Sequence, residues 1–170
     1  MIFIISKEGN RMNSMLEMLE KDAKLSADQV AAALGRDAAE VEAQISEYED
    51  KNIILGYKTL IDWDKTDREA VTALIEVKVI PQRGLGFERI AERISQYDEV
   101  ESVYLMSGGF DIAVLLSGRS LKEVALFVSE KLAPIESVTS TATHFVLKKF
   151  KDKGVIFSKS EEKQERLHTV

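Results

Sequence analysis

Side chains capable of covalent or metal chemistry are nearly absent from this chain. It has no cysteine, which excludes disulfides, thiolate metal sites and cysteine nucleophiles, and its two histidines, His144 and His168, lie far from clustered carboxylates. That set leaves little room for a zinc site or a Ser-His-Asp arrangement. What remains is the chemistry of binding. In Ser107-Gly108-Gly109-Phe110-Asp111 a glycine pair leaves backbone N–H groups uncovered for an anion. Asp111 can pair with an ammonium group through a charge-assisted hydrogen bond. Thr141 and Thr143, two apart on one strand, offer hydroxyls on a shared face. The plainer reading of the same loop is a hairpin whose Asp111 satisfies turn amides.

These groups need scaffolds, and the first third of the chain supplies short helices. Ser14 to Glu17 spells a capping box, S-M-L-E, with Met15, Leu16, Met18 and Leu19 in helical spacing. Ser26 can N-cap a second helix, with Gln29 three residues on and Leu25 and Val30 in the staple positions. Val30, Ala33 and Leu34 ride on that helix, and Gly35 closes it. After Arg36, Asp37 and Glu40 open a third helix whose core stripe is Val41, Ile45 and Tyr48. Ala31, Ala32 and Ala33 are small enough to let two helices cross closely. Three short helices, the last two joined by a tight glycine turn, predict a helix-turn-helix. Ile53 to Ile61 is rich in β-formers and reads as an extended arm, and the charged stretch after it, with Trp63 as its large apolar group, reads as a linker.

Beyond the linker, strand and helix patterns alternate. Thr72–Ile80 reads as a strand closed by Pro81, and Phe87, Ile90, Ala91 and Ile94 mark one face of a helix. Val100–Ser107 and Phe110–Leu116 form a hairpin turning at Gly108-Gly109. Ser120 with Glu123 caps a helix carrying Leu121, Val124, Ala125, Val128 and Leu132, Pro134 ends it, and Val138–Phe150 is the last strand. The order βαββαβ is the ferredoxin-like split unit. The fold class is α+β: a helix-turn-helix domain with its arm over 12–61, a linker over 62–71, a ferredoxin-like domain over 72–151 and a tail over 152–170. Both helices should cover one face of the sheet, leaving the other bare and in need of a partner.

In this order the segments resemble the Lrp/AsnC family of bacterial and archaeal regulators. Ile53-Ile54-Leu55-Gly56-Tyr57, followed by Leu60-Ile61-Asp62, is similar to the family's helix exit and arm, commonly G-V-I-x-G-Y with a later V-D or I-D. Ser107–Asp111 resembles its S/T-G-x-F/Y-D hairpin loop. Thr141-Ala142-Thr143, leading into Phe145-Val146-Leu147 and Lys148-Lys149, is similar to its last strand. The resemblance covers about residues 13 to 151. It implies an amino-acid-responsive transcriptional regulator, not an enzyme and with no cofactor, that binds DNA with its first domain and a small amino acid or related metabolite with its second. The effector residues it implies are Ser107, Gly108, Gly109, Phe110, Asp111, Thr141 and Thr143, framing a pocket between dimers. The assembly it implies is a homodimer at least, with a homo-octamer as the larger form. Gly109 stands where the family often carries a polar side chain, and Gln44 where it usually carries Arg.

Charge opposes the DNA assignment. The chain carries a net −6, and residues 1–65 hold eight basic and thirteen acidic side chains. Between Arg36 and Lys51 stand six acids, Asp37, Glu40, Glu42, Glu47, Glu49 and Asp50, whereas DNA affinity comes chiefly from Lys and Arg on phosphates. Three readings stay open. In the first the domain binds DNA with Ser26, Arg36, Asp37, Gln44 and Lys51 at the interface. Arg36 and the helix N-terminus would meet phosphates, Gln44 would read a base, and several copies would recover affinity by multivalency. In the second the helix-turn-helix is a protein-contact module beside a ligand sensor. The third is enzymatic: siroheme decarboxylases resemble this family in fold, but their polyanionic tetrapyrrole calls for Arg and His, and His144 stands alone.

Other features have plainer roles. His144 alternates away from Thr141 and Thr143 as a packed or edge histidine, Met15 and Met18 fill a core, Trp63 anchors the arm to its neighbour, and residues 161–166 form a solvated tail. Lys148, Lys149, Lys151 and Lys153 are the densest basic run. They read as a strand end guarded against edge pairing, with nucleic-acid contact as the alternative. With 45% apolar and 31% charged residues, and no apolar run near the roughly 20 residues of a membrane span, the composition is that of a globular cytoplasmic protein with no membrane partner. Lys7-Glu8-Gly9 can be encoded by AAG-GAG-GGN, which looks like a ribosome-binding site shortly before Met12. Met12 is therefore the expected natural start; the alternative is a short β-arm over Ile2 to Ile5.

Overall fold

The computed structural model describes residues 7–80 and 86–157, with side chains from residue 14 onward. The chain divides into two units between Ile61 and Asp62. The first holds α1 (Lys7–Lys21), α2 (Ala27–Leu34) and α3 (Ala38–Asp50). Local chemistry sets most of their ends. Ser26 Oγ accepts the Gln29 amide at 3.3 Å while the Ser26 amide donates to Gln29 Oε1 at 2.9 Å, a closed capping box at the start of α2. Gly35 ends it at φ 62° and ψ 42°, and the Arg36 amide reaches back to the Ala31 carbonyl at 2.9 Å. A Cβ at Gly35 would meet nothing, so the left-handed backbone alone selects glycine there. Asp37 Oδ1 then caps α3 by accepting the Ala39 and Glu40 amides at 2.9 and 3.2 Å.

The core of this unit is Met15, Leu19, Val30, Ala31, Val41 and Tyr48, with Leu16, Met18, Leu25 and Ile45 packed around it. Three sequence expectations change. Ser14 and Glu17 do not open α1, which starts at Lys7 and takes in Met12, so they lie inside the helix. Of the three alanines only Ala31 is buried, while Ala32 and Ala33 face solvent. The arm after α3 forms no strand in this chain: residues 55–62 make no ladder, and Tyr57 is tethered by its hydroxyl, which donates to Glu49 Oε1 at 2.9 Å.

In the second unit a 3₁₀ turn at Trp63–Lys65 precedes β1 (Val71–Val79), α4 (Phe87–Ser95), β2 (Val100–Leu105), β3 (Ile112–Gly118), α5 (Leu121–Phe127) and β4 (Val138–Phe145). The antiparallel sheet has the order β2-β3-β1-β4, as the ferredoxin-like reading requires. Period-two alternation divides its faces. Ala73, Ile75 and Val77 of β1 pair with Leu116, Val114 and Ile112 of β3, and all six are buried beneath Ile90, Ile94, Val124, Phe127 and Leu132. The opposite face carries Ser102, Leu115, Leu74 and His144 in one row and Tyr104, Ala113, Glu76 and Ala142 in the next. Among the described residues of this unit no helix covers that second face.

Four features of this unit differ from the sequence reading. The β2–β3 connection is not a two-residue glycine turn: the strand ladder ends at Leu105 and Ile112, and the Met106 amide closes the longer loop by donating to the Asp111 carbonyl at 2.8 Å. α5 turns π-helical over Val128–Leu132, with the Ala133 amide bonded to the Val128 carbonyl at 2.8 Å. The five-residue step from Phe127 to Leu132 puts Leu132 in the core and turns Lys131 outward; Phe127 is buried, whereas the expected Leu121 and Ala125 are exposed. The last strand ends at Phe145, and Lys151–Asp152 (β5) and Val155–Ile156 (β6) form a separate hairpin where a tail was expected. Trp63 is half-exposed and stacked under the Arg68 guanidinium at 4.3 Å, a partner within its own unit. Ile2 to Ile5, Pro81, residues 161–166 and His168 lie outside the described residues.

Candidate functional site

Two surfaces gather the residues singled out by the sequence. The first is α3 with the turn before it. Arg36 Nη1 donates to Gln44 Oε1 at 2.6 Å, and Gln44 Nε2 donates to the Tyr48 hydroxyl at 2.7 Å, so a side chain expected to read a base is engaged at both ends inside the fold. Ser26 and Asp37 are engaged as caps. Lys51 is paired with Glu47, whose carboxylate raises the lysine's pKa by hydrogen bonding and by charge. Burial first, and then the hydrogen bond to Glu49, raise the Tyr57 pKa. The solvent face of α3 is left to Ala39, Ala43 and Ser46, at helical spacing, among Glu40, Glu42, Glu47, Glu49 and Asp50. Sequence reasoning missed that small-residue stripe, although the period of Val41, Ile45 and Tyr48 already placed it opposite the core.

The second surface is the end of the sheet where β1 meets the β2–β3 loop. The Asp111 amide donates to the Val77 carbonyl at 3.1 Å, and Asp111 Oδ2 accepts the Val79 amide at 2.8 Å. Asp111 thus ties the loop to β1 at the irregular step between Lys78 and Val79, where the pairing with β4 shifts register. The plain reading of Asp111 as an amide acceptor holds for one carboxylate oxygen, its partner being a strand amide and not a turn amide. Ser107, Gly108 and Gly109 are exposed, and neither glycine has a positive φ, so the loop is not a nest. A Cβ on either glycine would meet open space. The amides of Ser107, Gly108, Gly109 and Phe110 are bonded to nothing among the described residues, which leaves a run of four unclaimed donors.

Thr141 and Thr143 share a face, as expected, and pair with Val77 and Ile75, which places them on the helix-covered side at the sheet's outer strand, both half-buried. Thr141 and the Asp111 loop flank the same end of β1 from opposite sides, roughly 10 Å apart by two strand spacings, and Thr143 lies two residues further along β4. His144 is on the other face, its Nε2 3.4 Å from Glu76 Oε1, and its side chain is 56% exposed. At the far end of the sheet a cleft of about 130 Å³ lies between β3 and α5, rimmed by Glu99, Glu123, Glu130 and Lys131. There Lys131 pairs with Glu99 and sits over the rings of Tyr97 and Phe127, and this ammonium holds the Glu99 carboxyl below its usual pKa. Among the described residues no group of three His, Asp or Glu side chains could hold a metal, and no helix is long and apolar enough to cross a membrane.

Residues 72–156 match the model of the Lrp/AsnC ligand binding domain. The chain is 46% identical over 144 residues to the HTH-type transcriptional regulator YugG of Bacillus subtilis, covering 84% of this chain and 87% of that one. It is 31% identical to the HTH-type transcriptional regulator LrpA of Pyrococcus horikoshii, over 81% of this chain and 94% of the relative. Among solved structures, the fold matches that of a transcriptional regulator from Neisseria meningitidis in complex with L-Met, with a TM-score of 0.68 and 19% identity, over 87% of this chain and 93% of that one. A capped helix-turn-helix followed by a four-stranded βαββαβ sheet, carried by a sequence this close to named regulators, has one home: the chain belongs to the Lrp/AsnC family of helix-turn-helix transcriptional regulators.

Proposed function

We propose that the protein regulates transcription by binding DNA through α2 and α3 as a homodimer or a larger homo-oligomer, and that a small amino acid bound near the β2–β3 loop modulates this. The observation that carries the DNA reading is the completeness of the helix-turn-helix: both caps are made, and the turn is closed by Gly35 in its left-handed conformation. Because Gln44 is occupied by Arg36 and Tyr48, base contact falls to Ala39, Ala43 and Ser46, whose small side chains suit thymine methyls and single hydrogen bonds. Arg36 and Lys51 each have an internal partner to exchange for phosphate, and this exchange weakens what each phosphate contact adds.

For the effector, the free loop amides offer donors to an α-carboxylate, and Asp111 Oδ1 offers a charge to an α-ammonium. The L-Met bound to the Neisseria regulator supports an amino acid as the class of ligand. The dimer is proposed to form through the uncovered sheet face that carries Leu74, Leu115 and Tyr104. No catalytic step is assigned: His144 is solvent-facing and paired with Glu76. As a DNA-bound regulator the protein would act in the cytoplasm.

A second reading has its own support. The exposed face of α3 holds Glu40, Glu42, Glu47, Glu49 and Asp50, with Lys51 paired to Glu47, a strongly acidic surface suited to a basic protein partner. Fluorescence anisotropy on DNA from upstream of the protein's own gene separates the two, run against a scrambled duplex at two salt concentrations, with and without pooled amino acids. Salt-sensitive, sequence-preferring binding supports the regulator; absence of binding at low salt, with and without amino acids, favours the protein-contact module.

A further inference from the structure

A DNA-binding protein whose helix-turn-helix unit is acidic must take phosphate affinity from elsewhere, because that affinity is set by the number of phosphates neutralised. One element of this chain has the charge. Lys148, Lys149, Lys151 and Lys153 fall within six residues with a single acid, Asp152, in a chain of net −6. They do not guard the end of β4, since that strand stops at Phe145; they lead into and cap the independent hairpin β5–β6.

The hairpin presents these ammonium groups outward. Asp152 is 3.5 Å from Lys149 and neutralises it, whereas Lys148, Lys151 and Lys153 are exposed with no carboxylate at ion-pair distance among the described residues. Lys148 lies 5.1 Å over the ring of Phe150, itself 64% exposed, and Lys149 lies 5.4 Å over that of Phe157. These contacts restrict the long side chains before any partner arrives. The tip is a two-residue turn with Lys153 at φ 45° and Gly154 at φ 82°. Such a turn favours Asn, Asp or Gly at its first position, and a lysine held there is strained, with its ammonium at the hairpin's outermost point.

We propose that the β5–β6 hairpin is a second DNA contact, sequence-independent and made by Lys148, Lys151 and Lys153 to backbone phosphates. It rests on the DNA-binding reading of the protein and supplies the neutralising charge that α3 lacks. It also puts a DNA contact in the same unit as the effector loop, so a ligand that shifts the assembly would move both sets of contacts.

The test uses the full chain, the upstream and scrambled duplexes, and a salt series. Lys148→Gln, Lys151→Gln and Lys153→Asn are combined, Asn being at ease at a positive φ, and an all-arginine set at the same positions restores the charge. A thermal melt checks that each variant folds. The neutral set is expected to weaken binding to both duplexes alike, about tenfold or more, with the slope of log affinity against log salt shallower by about 0.9 for each phosphate left unneutralised; the arginine set keeps affinity and slope. The paired variant Ala39→Gln/Ala43→Gln is expected to alter the preference between duplexes and keep the slope. An unchanged slope in the neutral set, with preference altered in the α3 variant, overturns the hairpin contact and leaves the helix-turn-helix reading standing. A slope change with no effect of the α3 variant overturns the helix-turn-helix reading alone. No binding by the native chain to either duplex overturns both. Unaltered DNA binding by the neutral set, with loss of binding to phosphatidylserine vesicles, overturns the DNA contact in favour of a lipid surface.

Discussion

Asp111 has two duties that substitution can separate. Its Oδ2 holds the Val79 amide, and its charge is the proposed partner of an effector ammonium. Asp111→Ala removes both. The missing charge-assisted hydrogen bond is expected to cost about 1–2 kcal/mol, since the carboxylate is only half-buried, and to lower Tm by roughly 5–10 °C. Asp111→Asn keeps an acceptor for Val79 and loses only the charge. It is expected to melt close to the native protein, yet to show none of the stabilisation by amino acids that mass action gives a ligand-binding fold. Scanning calorimetry with and without pooled amino acids decides both points. A ligand-induced shift retained in the Asn variant removes the ammonium contact, and a native-like melt of the Ala variant removes the tether. The tether was invisible in the sequence because its partner lies 32 residues away and is a backbone amide, which leaves no mark in residue type. Gln44 is the same case in reverse: a polar side chain on the second helix of the helix-turn-helix suggested base reading, and only the fold shows that Arg36 and Tyr48 have claimed it.

At the scale of elements, what could be read from the sequence was what chemistry writes locally. The caps of α2 and α3, the Gly35 turn and the alternation of β1 are set by residues within a few positions of one another, and they stand in the structure where the sequence puts them. The π turn after α5 was not legible, because it answers to the packing of Phe127 and Leu132 against the sheet and not to any local signal. That turn has a testable consequence in Lys131, which it directs outward to Glu99. Hydrogen bonding to Lys131 first, with its charge adding, lowers the Glu99 pKa from 4.5. A carboxyl whose folded pKa is depressed contributes stability above its unfolded value and loses it as pH falls through the folded one. Lys131→Met keeps an unbranched apolar side chain and removes the ammonium that pairs with Glu99 and lies over Tyr97 and Phe127. The native protein should exceed this variant in stability by up to about 1 kcal/mol near neutrality, a modest figure because both side chains are about a third exposed, and the difference should shrink below pH 4.5. Urea melts at pH 7, 5 and 3.5 measure it; a difference constant across that range would mean that the pair contributes through packing and not through charge.

The whole molecule poses a different question, which is what covers the second face of the sheet. Leu74 and Leu115 are half-buried there, Tyr104 is 49% exposed, and the pair His144–Glu76 lies beside them, an apolar patch with a polar rim of the kind interfaces use. A DNA-binding unit with so few cations cannot rely on one copy, so dimerisation and DNA affinity should fail together. Tyr104→Arg sets a charge on the proposed interface, at the β2 edge of the sheet face beside Ala113, where burying it unpaired is costly, while the residue's exposure within the single chain leaves the fold free to form. Sedimentation velocity is expected to show the native chain as a dimer or larger and the variant as a folded monomer with an unchanged circular dichroism spectrum. On the upstream duplex the variant should lose the advantage of linking two heads, on the order of a hundredfold, and its salt slope should fall by about half. If Tyr104→Arg stays oligomeric and binds DNA as before, the interface lies elsewhere, and the exposed Leu55 of the arm becomes the next position to charge. A monomer that binds DNA with undiminished affinity would break the link between assembly and binding, and the phosphate contacts of a single chain, hairpin included, would then have to account for all of it.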